Sequence, residues 1–188
     1  MNTFTDMPTK TRSIMVGTFI LIAYGVLVSS ITQSPLAVMA SDIISGLAVI
    51  GIALLMFPLF RRADPILPVS YLILKWVEGI LMIGGGILFL IPEAREVRNS
   101  IYDGIHLYVF IISGAFFYIL MLSRKTVPGF ISIWGLAGIG ALFVKTIFAF
   151  AGYSLEFINY FLVLIITNEI FLAIWLFVKG LDTGKEVK

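Results

Sequence analysis

Residues 165–175 read IITNEIFLAIW, an apolar run interrupted by Thr167, Asn168 and a carboxylate, Glu169. Read outward, the apolar character extends back to about residue 156 and on to Lys179. A helix needs ~20 mostly apolar residues to cross the ~30 Å hydrocarbon core of a bilayer. Five further runs meet that length, at about 14–31, 36–60, 66–91, 104–122 and 129–151. The pattern predicts an all-α polytopic membrane protein, a six-helix bundle forming one domain over residues 1–188. Backbone groups in lipid must be satisfied within the segment, and no barrel-type alternation is present, so helices are the only spanning structure open to this chain.

Composition supports the same reading. The chain has 188 residues, 60% of them hydrophobic and 13% charged, with a mean hydropathy of +1.05. Soluble domains are about 45–50% apolar and about 25% charged, so the solvent for this surface is lipid. There is no cysteine, which excludes disulfides, thiolate metal sites and a cysteine nucleophile. The net charge of +2 is small and its positive residues are scattered, which argues against a nucleic-acid partner. Lys10 and Arg12 ahead of the first run, with VSS at 28–30, imitate a signal peptide. The run from Ile14 to Ile31 is long enough to span, so it reads as the first transmembrane helix.

The breaks between runs carry turn chemistry: TQSP at 32–35, RRADPILP at 61–68, PEAREVRNS at 92–100, SRKTVPG at 123–129 and AGYS at 151–154. Pro65 or Pro68 suits the first turn of the third span. Lys10, Arg12, Arg61, Arg62, Arg124, Lys125, Lys179, Lys185 and Lys188 all fall on one side of the threading. The other side holds only Arg95 and Arg98, offset by Glu93, Glu96 and Asp103. Cytoplasmic loops collect Lys and Arg, so both termini are expected in the cytoplasm. The two halves also share a pattern, IISGLAVIG in span two and SIWGLAGIG in span five, with Gly46 and Gly135 offset by 89. Glu78 and Glu169 are offset by 91. Three spans per half would make this an inverted 3+3 repeat.

Lys75, Glu78, Lys145 and Glu169 fall deep within spans, and a charge at a helix centre costs ~2.5–3.5 kcal/mol on insertion scales. Such residues face the protein interior and find partners. Counted from the cytoplasmic ends, Lys75 and Glu169 both lie ~15 Å deep and Glu78 ~20 Å deep. Lys75 and Glu78 are i and i+3 on one helix face, which also carries Tyr71 and Met82. Glu169 is therefore expected as the counter-charge of Lys75, with Glu78 as the surplus carboxylate. Asn168 and Tyr71 complete a candidate ligand or proton site. A buried carboxylate without a cation favours its protonated form and can carry a proton. The same cluster could instead only fix which helices touch.

A second, outer polar set comprises Asp42, Asp103, His106 and Lys145; side chains at such depths also snorkel to the headgroups. With one histidine, a bis-histidine haem or a three-histidine zinc site within the chain is excluded, and no metal site is expected. The GGG at 84–86 reads as close helix packing. Trp76 is expected to line the cluster, and Trp134 and Tyr153 to lie at the membrane interface. The metalloprotease, nucleophile-elbow, Walker A and Rossmann signatures are all lacking, no catalytic residue is assigned, and no pattern points to a particular cofactor.

Three stretches carry a family resemblance: YLILKWVEGILMIGG (71–85), SRKTVPGFISIWGLAG (123–138) and NEIFLAIWLFVKGLD (168–182). Together the chain resembles the bacterial integral-membrane domain-of-unknown-function family 4386. Lys75, Val77 and Glu78 fit that family's span-three pattern, where arginine often stands in place of Lys75. Glu169, Ala173, Trp175, Leu176, Lys179 and Gly180 fit its closing pattern. The basic turn, LSRKTVP, lacks the family's tyrosine. The resemblance implies six spans in a bacterial cytoplasmic membrane and supplies no activity. Three functions fit these residues. The first is binding or transport of a small polar ligand, ion or proton at the Lys–Glu cluster. The second is a structural or accessory membrane role. The third is an enzyme acting on lipid or a quinone, with Glu78 or Glu169 as general base and Tyr71 as a second group. The partner common to all three is the lipid bilayer.

Overall fold

The computed structural model describes residues 7–32, 34–61, 66–152 and 160–182. Arg62, Pro65, Tyr153, Lys185, Lys188 and the expected start of span six near residue 156 lie outside the described residues. The helices are α1 (Thr9–Ala23), α2 (Pro35–Phe60), α3 (Ile66–Leu88), α4 (Arg95–Ile101), α5 (Leu107–Arg124), α6 (Gly129–Phe150) and α7 (Tyr160–Val178). α1 continues as a 3₁₀ helix over Tyr24–Ser30, and a π-helical turn over Tyr102–His106 joins α4 to α5. Five helical stretches are long and apolar enough to cross a membrane, and Leu162–Val178 is a shorter apolar helix. Large apolar side chains such as Ile44, Ile73, Ile80, Ile133 and Ile174 point outward along their length. The chain is an all-α, multi-pass membrane bundle.

Local chemistry sets the helix ends. Pro35 opens α2 in its first turn, where its missing N–H is no loss. At the other end of α7, Gly180 adopts a φ of 81° and its N–H reaches back to Trp175 O at 3.2 Å. That left-handed residue satisfies a terminal carbonyl, which is why glycine stands there. PEAREVRNS, expected as a loop before a span beginning at 104, is helical from Pro92 onward. Pro92 and the acidic residues Glu93 and Glu96 sit where a helix start favours them. The fourth crossing is therefore α4 and α5 together, bent at Gly104, whose φ and ψ are −102° and −105°.

The helices close into a ring. α1 packs on α2, α2 on α3, α3 on α5, α5 on α6, α6 on α7, and α7 returns to α1. The start of α1, the residues just after α7 and the α5–α6 turn meet on one face, where Leu181 N donates to Ser13 Oγ and Asp182 N to Thr126 O, each at 2.8 Å. Ring order conflicts with the expected inverted repeat. Viewed down the membrane normal, spans one to three and spans four to six run round the ring in the same sense. A half-turn about an axis in the membrane plane reverses that sense, so it cannot carry one half onto the other. The matched glycines agree with this: Gly46 faces α3, the span after it, whereas Gly135 faces Tyr118 of α5, the span before it.

The α2–α3 contact is the closest approach. A Cβ added to Gly46 would lie 2.6 Å from Gly79 O, and one added to Gly79 would lie 2.7 Å from Gly46 O. Small residues let backbones meet in lipid, where dispersion replaces the hydrophobic drive. Of the three consecutive glycines, Gly85 and Gly86 abut Tyr102 and Asp42, and Gly84 faces open space. Gly79→Leu is thus expected to lower the thermal unfolding midpoint, since overpacking costs roughly 1–3 kcal/mol or more. Gly84→Leu should leave it unchanged. Equal losses in the two variants, measured by melting in detergent, would contradict the packing assignment.

Candidate functional site

A cavity of about 280 Å³ lies inside the ring, lined by residues from all six spans. Most of its wall is aliphatic or aromatic, including Ile20, Ile52, Met82, Phe110, Phe117 and Leu172. Tyr71, Lys75, Glu78 and Met82 follow one another at i, i+4, i+7 and i+11, so one face of α3 turns them all inward. Glu169 of α7 lines the same cavity. The depths counted from the sequence therefore meet at one level.

The pairing differs from expectation. Lys75 Nζ donates to both carboxylate oxygens of Glu78, at 3.2 and 2.9 Å, on its own helix. Glu78 Oε2 also accepts from Ser113 Oγ of α5 at 2.6 Å. The ammonium lies 5.4 Å from the Phe110 ring centre, a third favourable contact. Glu169 is outside ion-pair distance of Lys75 and accepts instead from Tyr24 Oη at 2.7 Å. The reason is the ring: in a six-membered order, spans three and six stand opposite one another, with the cavity between them. The surplus carboxylate is thus Glu169, and Glu78 is the paired one.

Tyr24, whose hydroxyl reaches Glu169, is the residue at which α1 tightens to 3₁₀. The change of bonding pattern at such a junction leaves carbonyls that need other partners in lipid. α2 supplies them: Ser45 Oγ donates to Ile22 O at 3.1 Å, and Ser41 Oγ donates to Gly25 O. Tyr71 is fully buried, stacks on Phe117 at 5.8 Å, and its hydroxyl finds no hydrogen-bond partner among the described residues. His106 also lines the cavity, and its Nε2 is likewise buried without a partner there.

Other expected site residues lie elsewhere. Asn168 is fully buried between α6 and α7 and donates to Ile131 O at 2.9 Å, so it joins helices and does not line the cavity. Trp76 is 43% exposed on the outer face of α3, one residue round the helix from Lys75. Trp134 packs against Phe171 at 5.8 Å. The outer set divides. His106 belongs to the cavity, Asp103 is exposed, and Lys145 is half-buried with no ion pair among the described residues. Asp42 is fully buried in a separate ion pair. No group of three or more metal-ligating side chains occurs among the described residues.

Residues 28–180 match the family described as a domain of unknown function, DUF4386. The chain belongs to that family. No curated protein and no solved structure matches it. The matched region of this DUF4386 chain contains the cavity residues Tyr71, Lys75, Glu78, His106 and Glu169, together with Ser113 of α5, and begins after Tyr24.

Several side chains that partner the buried charges are not marked by the sequence. Tyr24 and Ser113 are neutral and lie in apolar runs, so nothing marks them beyond a hydroxyl at membrane depth. Arg98 reads as outer-loop charge in the sequence, yet it is 5% exposed. Its Nη2 and Nε donate to Asp42 Oδ2 at 2.8 and 3.1 Å. Its guanidinium lies 4.3 Å from the Tyr102 ring centre and 5.2 Å from that of Phe89. The signal available was helical spacing, since Arg98 and Tyr102 are i and i+4 within a helix that loop chemistry obscured.

Proposed function

We propose that this DUF4386 protein binds, and as a carrier moves, a small and mostly apolar molecule with a polar end, held in the central cavity. The observation that carries the reading is a cavity with contributions from every span, apolar in most of its wall, with Tyr71 Oη and His106 Nε2 beside it unpartnered among the described residues. Ligand pockets combine an apolar lining with a few convergent polar groups in this way. Val26 and Leu27 of the 3₁₀ segment and Leu162 of α7 belong to the wall, which supports entry from the lipid between the outer halves of α1 and α7. Native mass spectrometry of protein extracted directly from membranes tests this. The expected spectrum shows the chain with a bound small molecule, and Ala23→Trp, which fills the cavity, shows the bare chain. A bare chain in both, or the same adduct in both, would reject the reading. One observation favours a second, structural reading: Lys75, Glu78 and Ser113 satisfy one another without a ligand and tie α3 to α5.

The proposed setting is a bacterial cytoplasmic membrane with both termini in the cytoplasm, supported by the clustering of Lys and Arg on the face that holds Lys10, Arg61, Arg124, Lys125 and Lys179. The cysteine-free chain lets this be tested one thiol at a time. Glu96→Cys, on the exposed face of α4, should react with an impermeant maleimide in intact cells, and Lys125→Cys only after lysis. The opposite pattern would invert the topology.

A further inference from the structure

We infer that the cavity selects lipophilic cations: the polar end of its ligand is an amine or quaternary ammonium, and the carboxylate of Glu169 receives it. The inference rests on the cavity being a binding site, as proposed above, and adds the sign of the charge. It follows from the balance of charges on the wall. Among the described lining residues Lys75 is the one full cation, and its ammonium donates to both carboxylate oxygens of Glu78. With the Ser113 hydroxyl as a further donor, that pair is electrically and geometrically closed. Among the described residues Glu169 has a single donor, the neutral Tyr24 hydroxyl. A cation placed beside Glu169 favours its ionised form, and the wall then carries one negative charge more than its own cations balance, in an apolar chamber where charge interactions are poorly screened.

An anionic head would meet that charge, with no free cation among the described lining residues to receive it. A neutral head would gain only hydrogen bonds, from groups such as the unpartnered Tyr71 hydroxyl. A cationic head would gain the Glu169 carboxylate and the faces of aromatic rings. Tyr24, Tyr71, Phe110 and Phe117 all line the cavity. Aromatic faces attract ammonium groups most strongly where both are desolvated. The remaining wall, chiefly leucine and isoleucine, suits an alkyl or aryl body.

Three probes with one body and different heads decide the matter: decyltrimethylammonium, decanol and decanoate. The full chain is held in nanodiscs of zwitterionic phosphatidylcholine, with empty nanodiscs correcting for partition, and binding is read by calorimetry. Decyltrimethylammonium is expected to bind more tightly than decanol by about tenfold, the scale of a desolvated cation–π contact, and decanoate more weakly than both. Glu169→Gln should erase the preference for the cation while decanol still binds. The paired substitution Lys75→Met with Glu78→Gln should keep it, because that pair contributes no net charge. Should the Glu169→Gln protein fail to fold, the order of the three probes on the unaltered chain and on that double variant decides alone. Decanoate binding as tightly as the cation, or a preference that survives Glu169→Gln, overturns the inference but leaves the cavity a binding site. Failure of all three probes to bind overturns the cavity reading itself.

Discussion

Arg98→Met is expected to lower the thermal stability of the protein sharply, and Asp42→Asn to do nearly as much. Both side chains are buried, at 6% and 1% exposure, and they meet at 2.8 Å. Breaking one side of such a pair strands the other charge, at a typical cost of ~3–5 kcal/mol. The loss is bounded by what the stranded group finds instead; in bilayers, polar groups often find substitutes, and measured couplings are smaller. Here alternatives are few. Asp42 sits against Gly86, where an added Cβ would lie 2.7 Å from the Asp42 Cβ, so the side chain has little room to turn toward another partner. The guanidinium is held over Tyr102, so lysine at position 98, without a planar fork, should recover only part of the loss. The measurement is a double-mutant cycle in detergent melts. Losses that add, with Arg98→Met and Asp42→Asn together costing their sum, would show the pair to be incidental.

This pair also shows where the sequence was readable and where it was not. The spans were legible because lipid demands ~20 apolar residues in each, and the charge of the loops gave a consistent threading. The cavity-facing set on α3 was legible because spacing along one helix is a local property: Tyr71, Lys75, Glu78 and Met82 share a face whatever surrounds them. Partners across the bundle are a different matter. Depth alone made Lys75 and Glu169 equals, but which helices adjoin depends on ring order, and that is set by packing of small residues such as Gly46 on Gly79. Arg98 was hidden for the opposite reason. A basic residue among PEAREVRNS reads as loop charge, and only the helix of α4 turns it inward toward Asp42. The repeat failed because Gly, Ala, Leu and Ile recur in any pair of packed spans, so a short match carries no topology.

Lys75→Met is expected to destabilise the protein clearly, and Lys75→Met combined with Glu78→Gln to recover much of the loss. Glu78 is 2% exposed and has two partners, the Lys75 ammonium and the Ser113 hydroxyl. Removing the lysine leaves a buried carboxylate with one neutral donor, which approaches the ~3–5 kcal/mol cost of a stranded charge in the limiting case. Neutralising Glu78 at the same time removes the stranded charge, and its amide can still accept from Ser113. Glu169 should be the weaker partner. It holds Tyr24 and stands across the cavity from Lys75, so Glu169→Gln should recover much less of the Lys75→Met loss than Glu78→Gln does. Thermal melts of the three single and two double variants give both couplings. A strong coupling of Lys75 to Glu169, or none between Lys75 and Glu78, would return the counter-charge to α7 and undo the charge balance on which selection of a cation depends.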